Sequence, residues 1–112
     1  MELLTIVDSL GLRLITRKGH LSREITGVYI SDLLSDVLAH AKEGNLWVTL
    51  QAHPNIVAVA TMKELTGIIL VNGRTPEEAT IQKANEESIP IYTTDSPAFE
   101  LAGQLYRLIG ES

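Results

Sequence analysis

Three of the four prolines recur at nearly equal intervals, because Pro54, Pro76 and Pro97 stand 22 and 21 residues apart. Each follows a short apolar run and precedes a stretch with helical periodicity. Proline is favoured in the first helical turn, since the amide hydrogen that it lacks would be unpaired there. The sequence therefore predicts a strand, a polar turn and a helix three times over, which is typical of an α/β fold.

The spacing of apolar residues extends this pattern over the rest of the chain. We predict strands over residues 12–16, 25–30, 47–50, 67–71 and 89–92. We predict helices over residues 5–10, 33–42, 55–65, 75–87 and 97–110. The unbroken apolar run 67–71 is typical of a strand buried on both faces, and crossover helices of this length join parallel strands. We expect one α/β domain over residues 1–112, with a mostly parallel sheet of four to five strands flanked by helices. The first strand is a candidate for an antiparallel edge.

Cap residues predict where two of these helices begin. Thr5 is the predicted N-cap of the first helix, which Gly11 ends. Thr75, Pro76 and Glu78 have the spacing of a capping box, with Thr75 as N-cap and Glu78 reaching back to its amide. Gly27, inside the second strand, predicts a bulge or a close backbone approach.

Composition excludes several classes of protein. The 112 residues include no cysteine, so there is neither a disulfide framework nor a thiolate metal site. The net charge of −5 argues against binding to a nucleic-acid backbone. A single basic cluster, predicted to be a solvated loop around a turn at Gly19, comprises Arg13, Arg17, Lys18, His20 and Arg23. With no secretory signal and no apolar run near the ~20 residues that span a membrane, we expect a cytoplasmic protein without nucleic-acid or membrane partners.

Polar residues follow the predicted strands, where open α/β sheets bind ligands. One turn holds Gln51, His53 and Asn55; a second holds Asn72, Gly73, Arg74 and Thr75; a third holds Thr93, Thr94, Asp95 and Ser96. Ser31 and Asp32 form a fourth if the second strand runs parallel to the others. Helix N-termini that meet at one edge favour an anion such as phosphate. The candidate ligand-binding residues are His53, Asn55, Asn72, Arg74, Thr94 and Asp95. Helix capping is the alternative explanation for Thr75, Asp95 and Ser96.

The sequence gives little indication of catalysis. The chain contains no phosphate loop, no dinucleotide fingerprint and no nucleophile elbow. Asp36 and His40 are four residues apart on one helix, a spacing that suits a surface pair or a metal, and no third metal ligand is evident. We predict a non-catalytic chain without a cofactor.

A competing hypothesis is an interaction module that forms a homodimer or docks on an enzyme. The mean hydropathy of +0.13 is high for a small chain. Three aromatic residues, Tyr29, Trp47 and Tyr106, are of the types enriched at interfaces.

Four phrases in order, at residues 21–32, 44–49, 65–71 and 89–94, resemble the DRTGG domain family. The segment 21–25 is also similar to the N-terminal domain of HPr kinase/phosphorylase. The resemblance implies an α/β regulatory module that binds a nucleotide or phosphorylated metabolite or that oligomerises. Occurrence of similar proteins beside iron-only hydrogenase genes implies a hydrogenase-related partner enzyme. The Asp-Arg-Thr-Gly-Gly motif itself is absent, and residues 51–55 read Gln-Ala-His-Pro-Asn where relatives often carry a Gly-Asp-Arg turn.

Overall fold

A computed structural model describes residues 1–17 and 23–110. Its helices are α1 (Leu3–Leu10), α2 (Leu34–His40), α3 (Asn55–Met62), α4 (Glu78–Glu87) and α5 (Ala98–Leu105), with a π-helical turn over Tyr106–Gly110. Its strands are β1 (Arg13–Leu14), β2 (Gly27–Ile30), β3 (Asn45–Thr49), β4 (Gly67–Leu70) and β5 (Ile91–Thr93). Lys18, Gly19 and His20 of the predicted basic loop lie outside the described residues.

The five strands form one sheet in the order β1-β5-β4-β3-β2. β2, β3, β4 and β5 are mutually parallel, whereas β1 pairs with β5 in the antiparallel sense at one edge. The predicted α/β class, the mostly parallel sheet and the antiparallel edge strand are therefore confirmed.

Helices cover both faces of the sheet, which explains why all residues of β3, β4 and β5 are buried. On one face α2, α3 and α4 pack on alternate strand residues such as Trp47, Ile68 and Ile91. On the other face α1 and α5 pack on the intervening residues, among them Ile69 and Tyr92. The unbroken apolar runs in the sequence follow directly from this double coverage.

Two predicted helix starts are wrong. α1 begins at Leu3, two residues before the predicted cap Thr5, because Leu3 is fully buried and its amide donates to the Arg23 carbonyl at 3.0 Å. α4 begins at Glu78, with Glu77 as N-cap, so the capping box at Thr75 does not form. Instead the Glu77 amide donates to the Ala52 carbonyl at 3.1 Å.

The prolines that carry the repeat stand just outside the helices. Pro54 and Pro97 occupy the N-cap positions of α3 and α5, and Pro76 lies two residues before α4. Gly27 approaches a neighbouring strand closely, since a Cβ there would lie 3.3 Å from the Asn45 side-chain nitrogen. In the described part of the chain, no helix is both long and apolar enough to cross a bilayer.

Candidate functional site

The four parallel strands end at one edge of the sheet, which we call the carboxyl edge. It consists of the four turns 31–33, 50–54, 71–77 and 94–97, each of which leads into a helix. In register, Thr49 of β3 lies beside Leu70 of β4, which in turn lies beside Thr93 of β5. The topology thus brings all six predicted ligand-binding residues to the same edge. β2 is parallel to β3, so the turn with Ser31 and Asp32 belongs there too.

Asp32 joins the first two turns of the carboxyl edge. Its Oδ1 accepts hydrogen bonds from the Thr49 hydroxyl at 2.8 Å and from the Leu50 amide at 2.7 Å. Its backbone carbonyl accepts from the Gln51 side-chain amide at 2.9 Å. The carboxylate therefore holds β2 against β3. Sequence reasoning placed Asp32 at this edge but missed its role, because its partners lie 17 to 19 residues away.

His53 caps α3. Its Nδ1 accepts a hydrogen bond from the Asn55 amide at 3.0 Å, so the proton of the neutral ring is on Nε2. The side chains of both residues are exposed. This contact satisfies one of the amides that a helix N-terminus leaves unpaired, and that amide is therefore occupied. Only the outward Nε2 of His53 and the side-chain amide of Asn55 remain to meet a ligand.

The turns after β4 and β5 are bonded to each other through their backbones. Asn72 and Gly73 have left-handed conformations, with φ of 57° and 67°. Their amides donate to the carbonyls of Ser96 at 3.0 Å and Thr94 at 2.8 Å. The Thr93 hydroxyl donates to the Arg74 carbonyl at 2.7 Å. The amides of Asn72 and Gly73 are thus bonded within the protein and are not available to an anion.

Exposed charged side chains contribute to the chemistry of the carboxyl edge. Arg74 is the only Lys or Arg in the four turns. It is exposed, and its guanidinium makes no hydrogen bond or ion pair with any described residue. Asp95 is also exposed, and its Oδ1 would lie 3.2 Å from a Cβ at Gly73. The edge therefore presents an exposed guanidinium, a group that can pair with an anion, and an exposed carboxylate, a group that can accept hydrogen bonds from hydroxyl or amino groups.

A hydrogen-bonded chain of titratable side chains links β2 to α2. The Tyr29 hydroxyl donates to Asp36 Oδ2 at 2.8 Å, and His40 Nδ1 lies 3.0 Å from Asp36 Oδ1. The hydrogen bond from Tyr29 is the main cause that lowers the pKa of Asp36, and the same bond raises the pKa of Tyr29. Within residues 1–17 and 23–110, no group of three His, Cys, Asp or Glu side chains suits a metal ion. Asp36 and His40 form a surface pair, as one of the two sequence interpretations held.

Two apolar concavities lie elsewhere on the molecule. One, of about 920 Å³, runs beside the edge strand β2 and is lined by apolar residues that include Ile25, Val28 and Ile109. The other, of about 790 Å³, lies on the exposed face of α5. Trp47, which the sequence offered for an interface, is fully buried and donates through Nε1 to the Ser31 carbonyl at 2.9 Å. That assignment is wrong, because the indole belongs to the core.

Comparison with known proteins agrees with the sequence resemblance. A family model described as the DRTGG domain matches residues 5–108. No curated protein matches the sequence. A crystal structure of the CBS and DRTGG domains of the regulatory region of Clostridium perfringens pyrophosphatase, complexed with its activator diadenosine tetraphosphate, superposes with a TM-score of 0.69. The likeness covers 93% of this chain and 45% of that one at 21% identity, and it concerns the fold. With a family match across nearly its whole length, the chain belongs to the DRTGG domain family.

Proposed function

We propose that this domain is a non-catalytic regulatory module that binds a nucleotide or a phosphorylated metabolite at the carboxyl edge. The observation that carries the proposal is the exposed Arg74 guanidinium, which lies in the turn 71–77 of the carboxyl edge and has no partner among the described residues. A guanidinium presents five donors and pairs with phosphate in a bidentate manner. The regulatory role is supported by family membership and by the activator named for the pyrophosphatase structure.

The carboxylate of Asp95 favours a nucleotide over a bare phosphate. A phosphate beside Arg74 alone would gain nothing from a nearby negative charge. A ribose hydroxyl or an exocyclic amine would donate to the carboxylate, as an acidic residue does for the ribose of dinucleotides in other α/β folds. Asn72 and Asn55 add amide groups that can donate or accept. We therefore assign phosphate recognition to Arg74 and hydroxyl or amine recognition to Asp95, with His53 and Thr94 at the rim.

A thermal-shift titration tests this assignment. A ligand that binds only the folded state at 100 times its Kd stabilises that state by about 2.7 kcal/mol. We expect a nucleoside polyphosphate to raise the Tm and Arg74→Ala to remove that shift. Lys42→Ala is the matched control, since Lys42 is an exposed cation just before β3, at the opposite edge of the sheet. If both variants lose the ligand-induced Tm shift equally, the shift reflects the overall charge of the protein, and the assignment of the site to Arg74 is contradicted.

Asp95→Asn separates the two parts of the site. We expect it to weaken the shift caused by nucleotides and to leave or strengthen the shift caused by inorganic phosphate, since a negative charge is removed. Loss of both shifts would mean that Asp95 supports the turn rather than the ligand. His53→Ala is unsuitable as a first variant, because it also removes the cap on the Asn55 amide.

A protein-interaction module is the second candidate, and exposed apolar side chains favour it. Phe99 is 89% exposed, Met62 72% and Leu33 64%. Large apolar side chains at this exposure are candidates for contact with a second protein when they form a patch. A homodimer or a partner enzyme would cover at least the most exposed of them, Phe99. Sedimentation of the purified chain over a range of concentrations tests for the homodimer. If no nucleotide or phosphorylated metabolite shifts the Tm, the interaction module is the stronger candidate.

A further inference from the structure

The outward face of α5 carries an exposed aromatic stripe. Phe99 is 89% exposed and Tyr106 is 60% exposed, and Gly103 lies between them. Residues four and three positions apart share one side of a helix, so the three residues form a continuous line. The opposite side of the helix is buried through Leu101 and Leu105. We call the outward surface the α5 face and define it by Phe99, Glu100, Gly103, Tyr106 and Arg107.

The described residues give no structural reason for a glycine at position 103. Gly103 lies inside a helix, and its φ is not positive. A Cβ added there would meet no atom within 4 Å. Glycine in the middle of a helix costs stability relative to alanine, so its presence lacks an intramolecular explanation. Close approach of a second helix backbone supplies one, and Phe99, Gly103 and Tyr106 line a shallow, open depression at this position.

The charges on the α5 face of one copy can pair with those on a second copy when the two helices are antiparallel. Glu100 lies in the first turn of α5, and Arg107 follows its end. Seven residues separate them, about 10 Å along a helix axis, which is too far for a pair within the helix. Neither forms an ion pair with another described residue. If two copies of α5 pack antiparallel with Gly103 at the centre, Glu100 of each copy faces Arg107 of the other, and Phe99 faces Tyr106.

We propose that the α5 face is a self-association surface, on which two copies of this chain form a symmetric dimer through antiparallel α5 helices crossing at Gly103. A twofold interface uses the same patch on both copies, as this pattern allows. Parallel packing would bring the side of each helix that carries Glu100 and Arg107 against the side of the other that carries Phe99 and Tyr106, so the charge pairs form only in the antiparallel arrangement. The proposal gives the second candidate function a surface and a geometry, and it does not depend on the ligand site.

One short helix from each copy makes a small contact. Interfaces below about 1,200 Å² in total are characteristic of weak, transient complexes. We therefore expect a dissociation constant in about the micromolar range, measured by sedimentation equilibrium of the 112-residue chain at several concentrations. A wild-type chain that stays monomeric up to about millimolar concentration would overturn the proposal.

Charge reversal tests the orientation. We expect Glu100→Arg and Arg107→Glu each to raise the dissociation constant about tenfold or more, because each creates two like-charge contacts. The double variant restores both pairs and should return the constant to within about threefold of wild type. An equimolar mixture of the two single variants should form a heterodimer for the same reason. A double variant and a mixture that both stay dissociated would exclude the antiparallel geometry.

Gly103→Ala separates dimerisation from folding, because the two effects have opposite signs. Alanine should raise the Tm of the dilute monomer, since it favours the helix and meets open space. The same methyl group should raise the dissociation constant about tenfold by holding the helices apart. Phe99→Ser should weaken the dimer similarly. Met62→Ser is the control, because Met62 is 72% exposed on α3, on the other face of the sheet. Equal weakening by Met62→Ser, or none by Gly103→Ala, would contradict the assigned surface.

Discussion

The buried hydroxyl of Tyr92 offers a sharp test of the core. Tyr92 is fully buried in β5, on the face that packs against α1 and α5. Its hydroxyl has no hydrogen-bond partner among the described residues. A buried hydroxyl without a partner costs about 1–3 kcal/mol, because its hydrogen bonds to water are lost and not replaced. Tyr92→Phe removes that oxygen and leaves the ring in place. We expect the variant to be more stable than wild type by about 1–2 kcal/mol.

The effect of pH provides an independent measure of the same burial. Burial raises the pKa of Tyr92 to about 12, above its ordinary value of 10.0. The unfolded chain therefore loses this proton first as the pH rises. The titration of Tyr92 therefore does not affect the unfolding free energy below about pH 10 and lowers it as the pH rises towards 12, by about 2–3 kcal/mol in total. Tyr92→Phe has no such loss, so its advantage over wild type should widen above pH 10.

Urea unfolding followed by Trp47 fluorescence is the assay, and Tyr29→Phe is the matched control. The Tyr29 hydroxyl donates to Asp36 at 2.8 Å, so removing it should destabilise the protein. The two Tyr→Phe substitutions thus have opposite expected signs. For a chain of this length, 1 kcal/mol corresponds to about 4 °C in Tm. A Tyr92→Phe variant that is less stable than wild type would show that the hydroxyl is hydrogen-bonded in solution and would refute the reasoning.

Three further substitutions probe the turns and the surface network. Asp32→Ala should lower the unfolding free energy by about 1–2 kcal/mol, because the buried Thr49 hydroxyl and the Leu50 amide lose their acceptor; urea denaturation measures this. Gly73→Ala should cost about 1–2 kcal/mol in the same assay, because φ is 67° and Asp95 crowds a Cβ. Asp36→Asn should remove a pH-dependent contribution: the lowered pKa of Asp36 stabilises the folded state above the ordinary value of 3.8, and that stability is lost as the pH falls through the folded pKa. Acid denaturation curves should therefore differ above this range and converge below it.

The fold could be predicted well because its signals are local and repeated. The apolar run 67–71 marked a strand buried on both faces, and all of β4 is buried. The helix starts were harder, because they depend on distant contacts. The spacing of Thr75 and Glu78 suits a capping box, yet the Glu77 amide is bonded to Ala52, 25 residues earlier. A cap motif competes with such tertiary bonds, which a single sequence does not display.

The candidate site could be predicted in position but not in chemistry. Parallel strands deliver their turns to one edge, so Arg74 and Asp95 were placed there from topology alone. Which backbone amides remain open depends on how the turns pack. The amides of Asn72 and Gly73 are bonded to the turn after β5, so these two amides are not available to an anion. Any binding role for these residues stays a prediction that rests on side chains.

The proposed ligand site and the proposed dimer surface on the α5 face share a short piece of chain, and this makes a coupling between them measurable. The turn 94–97 contains Asp95 and leads directly into α5, whose first turn carries Phe99 and Glu100. If both proposals hold and the ligand orders this turn, the ligand must change the dimer affinity by the same factor by which dimerisation changes ligand affinity. We expect nucleotide at saturating concentration to shift the dimer dissociation constant of wild type and to leave that of Arg74→Ala unchanged. Sedimentation with and without nucleotide decides this. If the dimer dissociation constant of the wild type is the same with and without nucleotide, the two surfaces are independent and ligand binding does not regulate dimerisation.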